Sequence, residues 1–413
     1  MHRPSRRVSV AEKTLIAGLL LILFLPAAAV ATPLTALYVF GDSLSDQGNA
    51  YSTTGGFPPS PYAQRASNGP VAAEMFASRL GVPLVASQSG GTNYAYVGAL
   101  TGPTVVPGTS PPVAIDNYAA AAYGQPALFG TGILNQVASF IGSGPVFDPN
   151  GALFFVWGGP NDFFVDPSAA TAASAVNNLA GAISLLYGAG ARHFFVPNMP
   201  DLSLTPYGLG LPPLQRAGLQ ALSVGFDDGL ATALGSLAGL PGIDITGFDT
   251  FTLLATISAN PAAFGFTNAQ DPCITGNLGS GGTVCASPED YVFWDSVHPT
   301  SAAHAVLASA FADAYTPAVP EPTTLLLLGA GIAAVALVAA RRRGSREMAF
   351  ISGRRIINKM TPPSISTPSA ATVTGVSNSL PATLDPDSSS RMVTTYGRVN
   401  SCVCPVDGKP FAL

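Results

Sequence analysis

Between Leu37 and Tyr315, short apolar runs alternate with longer segments that have the spacing of amphipathic helices. Strands that alternate with helices favour a parallel sheet covered by helices on both faces. The sequence therefore predicts an α/β fold for this region. The predicted strands are Leu37–Phe40, Val82–Val85, Leu153–Trp157, His193–Val196 and Ile243–Thr246, and the predicted helices are Val71–Leu80, Gly132–Ile141, Ala169–Tyr187, Leu214–Leu237 and Ser301–Tyr315.

One segment of this region, Thr101–Ala127, is rich in Gly and Pro and has no clear period. It is interpreted as a long surface excursion. Loops of this length are often functional, so the segment is a candidate for part of a substrate rim.

The composition limits the function classes that need to be considered. The chain has 413 residues, of which 10% are charged and 47% are hydrophobic, with a formal net charge of −5. This balance offers no basic surface for nucleic acid, and it can supply a sizeable core. No nucleic-acid partner is expected.

The N-terminus has the features of a targeting segment. Basic residues precede an apolar run, Leu15–Leu25, and the small residues Ala29–Ala31 follow it. This order is typical of a secretory signal peptide, predicted to cover residues 1–31 and to leave Thr32 as the first mature residue. A retained N-terminal membrane anchor is the alternative.

Two cysteines, Cys273 and Cys285, fall within the exported region. Export allows thiols to pair, and a loop of this length can close into a disulfide worth about 3 kcal/mol on a chain-entropy estimate. A metal site is not expected there, because two thiols without neighbouring histidines do not complete a zinc site. Cys402 and Cys404 are assigned no role.

The composition changes again at Pro317. Val319–Pro322 precedes an uncharged apolar run, Thr323–Ala340, which is followed by Arg341–Arg343. The run is just long enough to span a bilayer, and the arginines favour a cytoplasmic end, whereas a buried core helix is the alternative. The segment 317–343 resembles a PEP-CTERM sorting signal, which implies processing by an exosortase-type enzyme.

The remaining segment, 344–413, is rich in Ser, Thr and Pro and lacks apolar periodicity. It is predicted to be disordered. Because a PEP-CTERM signal normally closes a chain, an incorrect reading frame in this part of the gene is a second hypothesis.

Ser43 follows the first apolar run in the segment FGDSLSDQGN. Gly41 permits a tight turn at the end of a strand, where side chains project to the ligand-binding edge of a parallel sheet. A serine at that edge can act as a nucleophile once a base removes its proton. An ordinary turn is the alternative for this segment taken alone.

Two further segments complete a catalytic set. Asn161, in the segment GGPND, can donate to a developing oxyanion, although an Asn-Asp helix cap, with Asp162 as the cap, is the alternative. Asp295 and His298, in FWDSVHP, are spaced so that one turn can join the carboxylate to Nδ1. That contact would leave Nε2 to accept the Ser43 proton.

FGDSLSDQGN, NYAYVGA (Asn93–Ala99), GGPND and FWDSVHPT resemble the four ordered blocks of the GDSL, or SGNH, esterase/lipase superfamily. The resemblance covers roughly Leu37–Tyr315, nearly all of a predicted hydrolase domain at 32–316. It implies a flavodoxin-like three-layer α/β/α hydrolase with a central parallel sheet and no metal or other cofactor. It further implies Ser43, Asp295 and His298 as the triad, and Ser43, Gly98 and Asn161 as the oxyanion hole. Val97 stands where a glycine is frequent in the second block. The FWDSVHPT form and the cysteine loop are similar to the larger, lipase-like branch.

These features predict an exported serine esterase or lipase that cleaves carboxylic esters through an acyl-enzyme. Its expected substrate is a lipid or an acylated glycan, and its expected location is the cell envelope or the extracellular space, with an anchor at residues 323–340 before processing. A carbohydrate deacetylase acting on exopolysaccharide and a non-catalytic envelope or matrix protein are the alternatives.

Overall fold

The computed structural model describes residues 34–315 and, separately, positions 331, 333 and 334. Residues 34–315 lie within one of the two compact units into which the chain divides. The predicted signal peptide, the apolar run Thr323–Ala340 except those three positions, and the segment 344–413 lie outside the described residues.

A four-stranded parallel sheet forms the centre of the described part. Its strands are β1 (Ala36–Gly41), β4 (Ala152–Trp157), β5 (His193–Pro197) and β6 (Asp244–Phe248), and they lie side by side in that order. The register pairs Gly41 with Trp157 at one end of the sheet. Two smaller sheets pair β2 (Ala99–Val105) with β3 (Ala114–Asn117), and β7 (Asn268–Pro272) with β8 (Tyr291–Phe293).

The α-helices of residues 34–315 connect and cover these strands. Five of them correspond to the predicted helices within one residue at each end. In chain order they are α1 (Asn49–Thr54), α2 (Ala72–Leu80), α3 (Tyr118–Ala122), α4 (Ile133–Gly142), α5 (Pro160–Val165), α6 (Ala169–Gly188), α7 (Pro206–Leu209), α8 (Pro213–Leu237), α9 (Thr250–Ala259) and α10 (Ser301–Ala314).

Alternate residues of the central strands face two separate cores. In β4, Phe154 and Val156 pack in a cluster with residues of α4, α6 and α8. Leu153 and Phe155 pack on the opposite face, in a cluster with α2 and α10. A strand buried on both faces is apolar throughout, as β4 is. This arrangement confirms the predicted α/β/α layers and the central parallel sheet.

One predicted strand is wrong. Val82–Val85 forms no strand, and the position next to β1 is instead taken by single bridges at Asn93. Pro83 has no N–H to donate to a ladder, which weakens this segment as a strand. The Val85 carbonyl still accepts the Asn93 N–H, at 3.0 Å.

The excursion Thr101–Ala127 is more ordered than its composition predicts. It contains most of β2, all of β3 and α3, and Thr101, Asn117 and Ala119 are fully buried. The segment is ordered by the antiparallel pairing of β2 with β3 and by the Asn117 side chain, which caps α3. Neither feature produces an apolar period in the sequence.

One helix of residues 34–315 is long and apolar enough to cross a membrane by length and composition alone, Ala169–Gly188. This helix is α6, and Leu179, Ile183 and Leu186 bury one face of it in the core beside the sheet.

Candidate active site

Ser43 lies in the turn that follows β1, at the carboxyl edge of the central sheet. A Cβ on Gly41 would stand 2.4 Å from the Trp157 carbonyl oxygen, so only glycine allows β1 to approach β4 this closely. Asp42 then holds the turn, since its Oδ1 accepts the Leu44 N–H at 2.9 Å. The turn places Ser43 at the cleft and leaves it 5% exposed.

Gln136 fixes the end of β1 from the neighbouring helix α4. Its Oε1 accepts the Gly41 N–H at 2.9 Å, and its Nε2 donates to the Gly41 carbonyl at 2.8 Å. The side chain is almost fully buried. It therefore satisfies both backbone groups of the residue that opens the serine turn.

His298 joins Ser43 to Asp295. His298 Nε2 lies 2.9 Å from Ser43 Oγ, and His298 Nδ1 lies 2.8 Å from Asp295 Oδ2. An ionised carboxylate only accepts, so Nδ1 carries the hydrogen and Nε2 is free to accept the serine proton. The structure thus brings together three predicted residues that come from opposite ends of the domain.

Several donors converge on the Asp295 carboxylate. The N–H groups of Val297 and His298 donate to Oδ1 at 2.9 and 2.7 Å, and the Tyr62 hydroxyl donates to Oδ2 at 2.8 Å. Burial raises the pKa of Asp295, but its attraction to His298 and the hydrogen bonds from His298 and Val297 outweigh burial and hold it below its usual value. Asp295 is therefore charged at neutral pH.

Tyr62 is a site residue that the sequence analysis missed. Its ring packs edge-on against Trp294, with centroids 6.0 Å apart, and it is 5% exposed. Burial, together with the nearby Asp295 charge, raises the pKa of Tyr62, so the hydroxyl stays protonated and donates. It lies in a loop with no catalytic pattern, and no signal in the sequence links it to Asp295.

Gly98 and Asn161 both line the cleft beside Ser43. Gly98 has a φ of +77°, and a Cβ there would stand 2.5 Å from the Ala119 backbone nitrogen, so this position requires glycine. Asn161 Nδ2 donates one hydrogen to the Ala99 carbonyl at 3.0 Å. That bond orients the amide, and Nδ2 carries a second hydrogen.

Asp162 does not cap a helix, which corrects the alternative considered for GGPND. Helix α5 begins after Gly159 without a side-chain cap. The Asp162 carboxylate instead accepts the N–H and the hydroxyl of Thr101, at 3.0 and 2.8 Å. Because Thr101 belongs to β2, Asp162 ties the Asn161 segment to the strand that follows Gly98.

Two buried carboxyl groups, Asp42 and Asp162, have raised pKa values. Burial raises the pKa of Asp42 to about 6, against the Leu44 hydrogen bond that lowers it. Burial raises the pKa of Asp162 to about 7, against its bonds from Thr101. Asp42 Oδ2 has no hydrogen-bond partner within residues 34–315, so its negative charge is poorly compensated.

Cys273 and Cys285 are joined by a disulfide in the structure. The bond closes a loop whose residues Asn277 and Leu278 line the cleft. Within residues 34–315, no group of three or more His, Cys, Asp or Glu side chains is arranged to hold a metal ion.

A family model described as GDSL-like Lipase/Acylhydrolase matches residues 37–311, which is more than half of the chain. The chain therefore belongs to this family, and the superfamily resemblance is confirmed. A second model, the PEP-CTERM protein-sorting motif, matches residues 318–343 and confirms the predicted sorting signal.

Individual relatives agree with the family match. An uncharacterized protein from the trpE-trpG intergenic region of Pseudomonas putida is 30% identical over 304 residues, covering 68% of this chain and 48% of that protein. The thermolabile hemolysin of Vibrio parahaemolyticus is 28% identical over 285 residues, covering 65% of this chain and 60% of that protein. A GDSL esterase/lipase of Arabidopsis thaliana is 28% identical over 329 residues, covering 66% and 89%. The chain thus spans about half the length of the Pseudomonas relative and 60% of the length of the Vibrio relative.

A solved structure of a member of the lipolytic protein G-D-S-L family from Veillonella parvula is also similar. The sequence identity is 13%, the TM-score is 0.37, and the match covers 68% of this chain and 98% of that one.

Proposed function

We propose that this protein is an exported carboxylic ester hydrolase that works through an acyl-enzyme on Ser43. The observation that carries the proposal is the continuous contact from Ser43 Oγ to His298 Nε2 and from His298 Nδ1 to Asp295, at 2.9 and 2.8 Å. Membership of a lipase/acylhydrolase family supports the same reaction class.

In the proposed reaction, His298 removes the hydroxyl proton as Ser43 Oγ attacks the ester carbonyl. Asp295 stabilises the imidazolium that forms, and its lowered pKa keeps it charged for this role. His298 then returns the proton to the departing alcohol. In the second step, water attacks the acyl-enzyme while His298 takes a proton from it. His298 then returns the proton to Ser43, and the carboxylic acid is released.

The developing negative charge on the substrate oxygen would be held by the Asn161 amide and by the backbone N–H groups of Gly98 and Ser43. Two features support this role. The hydrogen bond to the Ala99 carbonyl orients the Asn161 amide, and the backbone conformation and close contacts of Gly98 leave no room for a side chain. One such donor typically contributes about 3 kcal/mol to transition-state stabilisation.

The proposed location is the cell envelope or the extracellular space. A PEP-CTERM motif supports export and membrane-associated sorting. We infer that residues 323–340 hold the protein at the membrane until an exosortase-type enzyme processes it.

Substitution of the proposed nucleophile tests the function. Ser43→Ala should lower kcat/KM for p-nitrophenyl esters by at least about 10⁴-fold, since the attacking atom is lost. Ser45→Ala is the matched control, because Ser45 is two residues away and its buried hydroxyl has no hydrogen-bond partner within residues 34–315. Folding of both variants is checked by circular dichroism. A folded Ser43→Ala protein with unchanged turnover would rule out the assignment.

A further inference from the structure

The cleft beside Ser43 continues into a pocket between α9 and α10 that we name the aliphatic arm. Part of the same cavity as Ser43 and His298, it is lined by Leu253, Leu254, Ile257, Val292, Ala303 and Leu307.

The two helices present one face each to the aliphatic arm. Leu253, Leu254 and Ile257 share a face of α9, and Ala303 and Leu307 are one turn apart on α10. Ile257 and Ala303 belong to a common buried cluster, which fixes the floor of the arm. Leu254 and Leu307 are only partly buried and line the cleft.

The aliphatic arm contains no group that could bind a sugar hydroxyl. None of its six side chains has a polar atom, and the Asp and His residues that line the cleft, which are Asp42, Asp295 and His298, lie at the Ser43 end. The polar residue of α9 that lines the cleft is Thr250, and its hydroxyl already donates to the Asn198 carbonyl at 2.6 Å. A glycan placed in the arm would lose its hydrogen bonds to water without replacement.

The size of the cleft is consistent with a small organic group. Its volume is about 90 Å³. A single water molecule needs roughly 10–15 Å³ on the same kind of measure, so the cleft can hold a chain of several carbon atoms.

We propose that the aliphatic arm binds the acyl chain of the substrate, and that this chain contains several methylene groups rather than being an acetyl group. The inference rests on the proposed esterase function and specifies its substrate class. Each methylene that enters the arm leaves water for an apolar surface, which favours the longer chain.

A series of p-nitrophenyl esters tests the acyl preference. With acetate, butanoate and hexanoate, kcat/KM should rise about fourfold for each methylene buried in the arm. A wild-type protein that cleaves acetate as well as or better than hexanoate would overturn the proposal and favour an acetylated substrate instead.

Variants test whether the aliphatic arm is the site of that preference. Leu254→Phe, on α9, and Leu307→Phe, on α10, should each lower kcat/KM for hexanoate about tenfold more than they lower kcat/KM for acetate. Leu254→Ala enlarges the arm and should move the optimum to a longer chain. Leu214→Phe is the matched control, because Leu214 is 82% exposed and lies outside the cleft. Equal losses on acetate and hexanoate in both Phe variants would contradict the assignment.

Labelling separates failure of this inference from failure of the proposed function. An activated serine attacks the phosphorus of a fluorophosphonate probe and displaces fluoride. Labelled wild-type protein that prefers acetate therefore rejects the acyl-chain inference alone. Protein that is neither labelled nor active rejects both. If one Phe variant does not fold, the other and Leu254→Ala still decide the result.

Discussion

At the scale of single residues, Ser43, His298 and Asp295 form a chain of contacts in which each partner constrains the next. Asp295 is held by its own loop through two N–H groups, and by a distant loop through Tyr62. The Tyr62 hydroxyl withdraws negative charge from the carboxylate that faces His298. Tyr62 is therefore expected to act as a positioning residue that also sets the basicity of the histidine.

Tyr62→Phe should move the acid limb of the kcat/KM profile to higher pH. Without the hydroxyl, the Asp295 carboxylate faces His298 with more of its charge, so activity should be lost to protonation of the catalytic base at a higher pH. The measurement is a pH profile with a p-nitrophenyl ester.

Tyr96→Phe is the control, because Tyr96 is also buried and its hydroxyl accepts from Gln88 rather than contacting the triad. If the role of Tyr62 were only structural, Tyr62→Phe would lower the melting temperature and leave the acid limb of the kcat/KM profile unchanged. That outcome would reject the positioning role.

At the scale of elements, the turn after β1 depends on helix α4. Gln136 satisfies both the N–H and the carbonyl of Gly41, and it also donates to the Thr131 carbonyl at 2.8 Å. The helix thus holds the strand end that leads into the turn of Ser43, the proposed nucleophile.

Gln136→Leu should destabilise the domain by about 1–3 kcal/mol, because it leaves the buried Gly41 N–H unpaired, whereas the Gly41 carbonyl still accepts from the Tyr96 N–H. Urea unfolding of the purified domain measures the loss. Ser139→Ala, at an exposed position of the same helix, should change stability by less than about 0.5 kcal/mol. Equal stability of Gln136→Leu and wild type would contradict the role given to this side chain.

The sequence predicts elements well where burial leaves a pattern. β4 is readable because all six of its residues are buried on two faces. Val82–Val85 is equally apolar, but Pro83 has no N–H to donate to a neighbouring strand. The position beside β1 is instead taken by Asn93, which bridges to Val39. The small strands β2 and β3 escape prediction because their pairing, rather than their period, defines them.

The same distinction applies to the site. Ser43, Asn161, Asp295 and His298 stand in short segments whose residue types suggest their chemistry. Tyr62 and Gln136 do not, because their roles arise from contacts made across 233 and 95 positions of the chain.

At the scale of the whole molecule, buried carboxyl groups couple stability to pH. Burial raises the pKa of Asp42 and Asp46 to about 6 and that of Asp162 to about 7. An unfolded aspartate titrates at about 3.9. Between these values the folded domain keeps protons that the unfolded chain releases, so stability declines as pH rises through the folded pKa values.

The melting temperature should therefore be higher at about pH 5 than at about pH 8. Asp295 has a lowered pKa and acts in the opposite direction only at more acidic pH. Burial lowers the pKa of His304 to about 3, which opposes the trend below about pH 6.5, but this one group is outnumbered by the three carboxyl groups. Asp42→Asn should reduce the difference, whereas Glu289→Gln, at an exposed position, should not. Calorimetry at both pH values measures this difference in melting temperature. A melting temperature that rises towards pH 8 would contradict the role given to the buried carboxyl groups.

The central claim is that His298 and Asp295 activate Ser43, and covalent labelling tests it most directly. The wild-type domain is treated with a fluorophosphonate probe, and the labelled peptide is identified by mass spectrometry. We expect a single adduct on Ser43. Its rate of formation should be strongly reduced in His298→Ala and unchanged in Ser45→Ala. Absence of an adduct on Ser43 in folded wild-type protein, or equal labelling in His298→Ala, would contradict the central claim.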